Sequence, residues 1–131
     1  RFIAGGNRIE GEGYFFEPTI VADLTDGNRL VDEEPFGPIV PIIKYSDVDE
    51  VINRANQNVQ GLGGSIWSND LEKASALAQR LECGSVWIND HCSIQPNMPF
   101  GGIKQSGFGV EFGLYGLEEY TSIQTVKMLR R

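Results

Sequence analysis

Apolar residues run almost unbroken from Ile39 to Tyr45 and then recur at Val48, Val51, Ile52 and Ala55, an i, i+3, i+4, i+7 spacing. The change of period predicts a buried strand, apart from its Pro41, followed by an amphipathic helix capped by Ser46 with Asp49 three residues on. Gly61 to Gly64 interrupt that pattern, and Ser65-Ile66-Trp67 reads as a second short strand. Asn69 with Glu72 makes another capping signature. Leu71, Ala74, Ala78 and Leu81, joined by Leu77, mark the apolar face of a second helix. Gly84 stops it, and Val86-Trp87-Ile88 is a third strand. Strand, helix, strand, helix, strand with short links predicts an α/β fold: a right-handed parallel crossover sheet, doubly wound, with helices on its faces.

The flanking segments are less regular. Arg1 to Ala4 and Tyr14 to Val21 read as an outlying pair of strands separated by glycines, with Pro18 marking an edge or a bend. Asp23 to Asn28 is a polar turn. From Asn89 to Gly109 the chain has no period for about twenty residues, and so long a loop in a domain of this size is usually functional. It leaves the carboxyl end of a strand, where open α/β sheets bind ligands. A short helical patch from Phe112 to Tyr120 follows, and Ser122 to Met128 reads as a strand with no hairpin partner, an edge that invites pairing with another chain.

Composition narrows the classes. With 40% apolar residues, 22% charged residues and 16 glycines in 131 residues, this is the content of one globular domain. The net charge of −7, without a basic cluster larger than Arg130-Arg131, argues against nucleic acid or an anionic membrane as partner. No apolar run approaches the roughly 18 residues of a membrane span. Cys83 and Cys92, without CxxC spacing, fit a reducing cytoplasm, and a single histidine makes a zinc cluster improbable. The start, Arg1-Phe2-Ile3, has neither an initiator methionine nor a signal peptide's apolar stretch, so a longer parent is expected.

Three segments are candidates for chemistry. Glu33-Glu34-Pro35-Phe36-Gly37-Pro38 places two carboxylates in a loop stiffened by prolines, which hold Glu34 and Gly37 out of the helical region. A carboxylate held in that way accepts two hydrogen bonds from a vicinal diol such as a ribose, with an aromatic two residues on to pack against a planar group; the other reading is a solvated turn. His91-Cys92 suggests a thiol and its base, but neighbours in an extended segment point to opposite sides, so both cysteines are read as inert. Gly101 to Gly109 looks like a phosphate loop but fits neither the P-loop nor the dinucleotide spacing. Tight turns and close backbone approach are the preferred reading there.

Taken together, the segments resemble the C-terminal part of the NAD(P)-dependent aldehyde dehydrogenase superfamily. The resemblance rests on Gly13-Tyr14-Phe15-Phe16-Glu17-Pro18-Thr19, on the Glu33 to Pro38 loop, on Gly84-Ser85-Val86-Trp87-Ile88-Asn89, on Pro99-Phe100-Gly101-Gly102-Ile103-Lys104-Gln105-Ser106-Gly107 and on Gly116-Leu117-Glu118-Glu119-Tyr120-Thr121. Their order and spacing span essentially the whole chain. The resemblance implies that Glu34 hydrogen-bonds the nicotinamide ribose of NAD or NADP, with Phe36 beside the nicotinamide. It implies that Ile94 and Phe100 wall the aldehyde tunnel. Glu111 matches a buried carboxylate of the family's proton relay, although Val110 stands where arginine is frequent.

It further implies residues 1–121 as the end of a catalytic domain and 122–131 as an oligomerisation strand and tail, in a cytoplasmic homodimer or homotetramer. The family's catalytic cysteine, water-activating glutamate, oxyanion-hole asparagine and dinucleotide-binding domain lie upstream of these motifs. The chain alone is therefore expected to be inactive, with no catalytic nucleophile present. The alternative is a stand-alone, non-catalytic folding or oligomerisation module.

Overall fold

Thr19, only 2% exposed, opens the best-buried strand of the protein, and Val21 and Ala22 beside it are 6% exposed. The computed structural model describes residues 1–130, which divide into two units, Arg1–Glu50 and the chain from Val51 onward.

In the first unit, β1 (Phe2–Ala4) pairs antiparallel with β2 (Thr19–Ala22), and β2 pairs in parallel with β3 (Ile39–Ile42). Strand β2 is thus central, and β3 lies at an edge, where Pro41 is tolerated. The Thr19 hydroxyl is satisfied twice, donating to the Glu17 carbonyl at 2.7 Å and accepting from the Gly6 N–H at 2.9 Å, which removes the penalty of burying it. Three expectations are corrected here. The strand expected from Tyr14 starts only at Thr19, after Pro18; ahead of it the chain makes an isolated bridge between Arg8 and Phe16, and Tyr14 is fully exposed. Strand β3 is not fully buried, since Val40 and Ile42 alternate outward at 52% and 46% exposure. A one-turn helix, α1 (Arg29–Asp32), occupies the approach to the Glu34 loop, capped by the Asn28 side chain on the Leu30 N–H at 3.0 Å.

Helix α2 (Val48–Gln57) begins one residue later than the sequence suggests, because Asp47 rather than Ser46 accepts from the first free N–H groups, those of Asp49 and Glu50. A carboxylate at that position also opposes the positive end of the helix dipole. Ile52 is buried, whereas Ala55, assigned to the same stripe, is exposed.

The second unit contains β4 (Gly63–Ile66), α3 (Leu71–Ala78) and β5 (Ser85–Ile88). The two strands pair in parallel, Gly63 against Ser85 through Ile66 against Ile88, and α3 packs on both. Asp70, not Asn69, caps α3, accepting from the Lys73 N–H at 3.0 Å. Ala74 is fully buried; Leu71 at 62% exposure is not part of the buried face. The expectation of one continuous crossover sheet is corrected to two sheets of mixed α/β character, because β3 pairs only with β2 and β4 only with β5.

Helix α4 (Gly113–Glu118) matches the helical patch read from the sequence. The tail does not form the expected strand: residues 121–130 have no regular structure, with Ile123 fully exposed and Val126 at 78%. A strand takes its hydrogen bonds from a neighbour, so an apolar, β-branched sequence does not make one alone. Arg131, the end of that tail, lies outside the described residues.

Candidate functional site

The two adjacent carboxylates of the first unit have different fates. Glu33 ends α1, and Arg29 one turn earlier grips it through Nε–Oε1 at 2.8 Å and Nη2–Oε2 at 2.9 Å. The hydrogen bonds from this guanidinium hold the Glu33 carboxyl below its ordinary range. The Glu34 carboxylate is exposed and has no partner among the described residues. Its loop is anchored on both sides, by the Glu33 N–H on the Arg29 carbonyl at 2.9 Å and by the Thr19 N–H on the Pro38 carbonyl at 2.7 Å. Phe36, 95% exposed, projects from the same loop. A free carboxylate and a bare aromatic ring are thus carried on a fixed turn.

In the second unit, the Asn89 to Gly109 loop is tied down at four points. Asn89 donates to the Ser68 carbonyl and accepts from the Ser68 N–H, both at 2.8 Å. Trp87 Nε1 donates to the Ser93 carbonyl at 2.9 Å. Lys104 Nζ donates to the carbonyls of Asn56 at 2.5 Å and Asn58 at 3.3 Å and lies 3.2 Å from Glu82, so it caps the C-terminal end of α2. Ser106 Oγ accepts from the Gly61 N–H at 2.9 Å. Lys104 carries a left-handed backbone, φ 56°, to make this reach, and Asn89, Cys92 and Phe112 share that strained region. Replacing Lys104 by methionine is expected to lower stability by about 1–2 kcal/mol, read from the urea midpoint, through loss of a charged hydrogen bond at a helix end.

Phe100 and Glu111, eleven residues apart, form an isolated antiparallel bridge and exchange both N–H···O bonds at 2.8 Å. Residues directly opposite in such a pair carry their side chains on one face, so the bridge sets the Phe100 ring beside the Glu111 carboxylate. Both line a cleft of about 360 Å³. Glu111 is exposed in this chain, and Val110 precedes it. Ile94 is 46% exposed and does not line this cleft.

His91 bonds Ser65, Nδ1 to Oγ at 2.7 Å, and meets Trp87 edge-on at 5.9 Å between centroids. Burial pushes the Cys83 thiol up from its ordinary range, although its Sγ donates to the Ser85 carbonyl at 3.3 Å; Cys92 is exposed. Iodoacetamide at mildly alkaline pH is expected to alkylate Cys92 about tenfold faster than Cys83, as peptide mapping by mass would show. In the Gly101 to Gly109 segment, Gly101 and Gly102 mark close backbone approach, a Cβ on Gly102 standing 2.8 Å from the Ser106 carbonyl oxygen, whereas Gly107 and Gly109 are turn residues with φ of 110° and 88° and open space around them.

To the residues singled out in the sequence, Glu34, Phe36, Ile94, Phe100 and Glu111, the structure adds Arg29, which holds Glu33, and Lys104, which caps α2. An arginine four residues before Glu33 was the available signal for the first.

A sequence profile described as the aldehyde dehydrogenase family matches residues 1–126. The chain belongs to the aldehyde dehydrogenase family. It is 42% identical to the mitochondrial aldehyde dehydrogenase of Mesocricetus auratus, over 96% of this chain and 25% of that protein. It is 45% identical to a betaine aldehyde dehydrogenase of Rhizobium etli, over 95% and 26%. Among solved structures, the NAD+ complex of an aldehyde dehydrogenase from Bacillus cereus superposes with a TM-score of 0.92 at 41% identity, covering 96% of this chain and 26% of that one. This aldehyde dehydrogenase chain spans about a quarter of the length of the relatives it matches. Among the described residues, no helix is long and apolar enough to cross a membrane.

Proposed function

We propose that this chain is the C-terminal quarter of an aldehyde dehydrogenase that oxidises an aldehyde to a carboxylic acid with NAD+ or NADP+, and that it supplies the cofactor's ribose carboxylate and part of the aldehyde route. Glu34 accepts hydrogen bonds from the nicotinamide ribose, and Phe36 packs beside the nicotinamide. Ile94 and Phe100 wall the aldehyde tunnel. Glu111 exchanges protons with water along that route. The observation that carries this reading is the division between the two carboxylates: Arg29 holds Glu33, while Glu34 is unpaired on an anchored loop. A diol needs a carboxylate with free lone pairs, and Glu34 has them.

The cysteine nucleophile, the water-activating glutamate, the oxyanion-hole asparagine and the dinucleotide-binding domain belong to sequence that precedes this chain. Held by Glu34 and Phe36, the nicotinamide would supply the hydride acceptor for an aldehyde captured by a thiolate of the complete enzyme, with water releasing the acid. Residues 122–131 add to a neighbouring subunit's sheet in a homodimer or homotetramer, and their exposed Ile123 and Val126 support that use. The free thiols of Cys83 and Cys92 fit a cytoplasmic location.

Two measurements test this. The purified chain with NAD+ and a panel of aldehydes is expected to produce no NADH absorbance, and reproducible turnover would contradict the assignment of the nucleophile elsewhere. The reading frame upstream of Arg1 is expected to encode a cysteine nucleophile and a dinucleotide-binding domain; a start codon directly ahead of Arg1 would overturn the C-terminal placement.

A further inference from the structure

Asp26-Gly27 is the only Asp-Gly pair in the sequence, which has no Asn-Gly pair. It forms an exposed turn ahead of α1, closed by the Asn28 N–H on the Thr25 carbonyl at 3.3 Å. Gly27 has a left-handed φ of 87°, and no heavy atom lies within 4 Å of the place a Cβ would take, so nothing crowds its amide from that side. Its N–H donates to Asp32 Oδ2 at 2.9 Å, a carboxylate at the end of α1.

A backbone nitrogen reaches the side chain of the preceding aspartate most readily when it belongs to glycine, which puts no Cβ in the path. The Gly27 nitrogen bonds to Cγ of the protonated Asp26 carboxyl, the bond from Cγ to the hydroxyl oxygen breaks, and water leaves. The amide proton needs an acceptor, and the ionised Asp32 carboxylate already holds the hydrogen bond along which it would travel. The product is a five-membered succinimide, one water lighter than the parent. Water then adds to either ring carbonyl. Opening at the former main-chain carbonyl of Asp26 carries the chain through Cγ and yields isoaspartate, whereas opening at Cγ restores aspartate. The water lost is the water regained, and nothing is oxidised or reduced.

We propose that Asp26-Gly27 is a site of isoaspartate formation, with the Gly27 nitrogen as nucleophile and Asp32 as the base that takes its proton. The product lengthens the main chain by one carbon just ahead of Asn28. That residue organises α1, its side chain accepting from the Leu30 N–H at 3.0 Å and its carbonyl from the N–H groups of Val31 at 2.8 Å and Asp32 at 3.0 Å. The same turn carries the Glu33 N–H onto the Arg29 carbonyl at 2.9 Å, one anchor of the Glu34 loop. The modification therefore loosens that loop, whatever ligand the loop serves.

The test incubates the chain near neutral pH, folded and unfolded in urea, beside an Asp32→Asn variant under both conditions. Isoaspartate is counted by labelled methyl transfer with an isoaspartate-specific methyltransferase and located by peptide mapping. Asparagine keeps an oxygen that accepts from the Gly27 N–H but takes no proton, so it separates holding the turn from acting as base; Asp32 is exposed, and an unchanged amide spectrum outside the turn would verify the variant's fold. The parent is expected to form isoaspartate at residue 26 faster folded than unfolded. Asp32→Asn is expected to slow the folded rate about tenfold, below the usual yield of general-base catalysis because the carboxylate is solvated, and to leave the rate in urea unchanged. A variant as fast as the folded parent, a parent no faster folded than unfolded, or a difference that persists in urea would each overturn the proposal. Amide exchange at Leu30 and Glu33 is expected to quicken in the isoaspartyl form, and unchanged exchange there would overturn the effect on the loop.

Discussion

Replacing Gly84 with alanine is expected to cost the second unit about 3 kcal/mol, near the upper end of overpacking penalties, and to shift its urea midpoint accordingly. The new Cβ would run into the carbonyl oxygen of Gly101, with the Gly101 carbonyl carbon at 2.8 Å and the Leu62 oxygen at 3.2 Å. All three obstacles are backbone, so no rotamer change relieves them. Nor has the backbone room to yield: a Cβ on Gly101 would in turn meet the Gly109 oxygen at 2.5 Å, and the Gly84 N–H is bonded to the Gly61 carbonyl at 3.0 Å. Strand-end, loop and return segment are stacked without a side chain between them. Displacing Gly101 also displaces its neighbour Phe100, so amide exchange at Phe100 and Glu111 is expected to accelerate with the loss of stability. Gly37→Ala is the control, because its φ is not left-handed and nothing lies within 4 Å of the added carbon. Its midpoint is expected to stay the same or rise slightly, as the unfolded chain loses freedom. Equal midpoints for the two variants would contradict the close-approach account.

The same glycines explain how much the sequence alone disclosed. Period and capping chemistry located β3, α2, β4, α3 and β5 because each follows from neighbours in the chain: Ala74 and Leu77 mark a helix face by spacing, and Asp70 lies one residue from the cap expected at Asn69. What pairs with what was not local. Nothing in Ile39–Ile42 states that it joins β2 and not β4, and both answers satisfy the same run of apolar residues. The tail is a related case, since Ile123 and Val126 carry strand propensity but propensity supplies no hydrogen-bond partner, and the single chain offers them none.

The candidate site divides along the same line. Glu34 and Phe36 drew notice because two prolines constrain them locally, with a solvated turn as the other reading until the family resemblance was added, and Phe100 through the motif around it. Lys104 was not, because its role on the Asn56 and Asn58 carbonyls depends on a contact across more than forty residues. The exposure of Glu111 was also beyond reach, being a property of how the return segment packs and not of the residues beside it.

The most direct test of the ribose assignment compares Glu34→Gln with Glu33→Gln in the complete enzyme proposed to carry this chain. The two residues are adjacent, equally charged and both exposed, so nonspecific electrostatics affects them alike. Glu34 has no competing partner among the described residues, whereas Glu33 is oriented by two hydrogen bonds from Arg29 that a diol would have to displace or share. The KM for NAD+, or its Kd by fluorescence quenching, is the quantity to measure. Glu34→Gln is expected to weaken NAD+ about tenfold to a hundredfold, the worth of hydrogen bonds to a charged acceptor, with Glu33→Gln staying within about twofold of the parent. Equal effects from the two variants, or a larger effect at Glu33, would contradict the account.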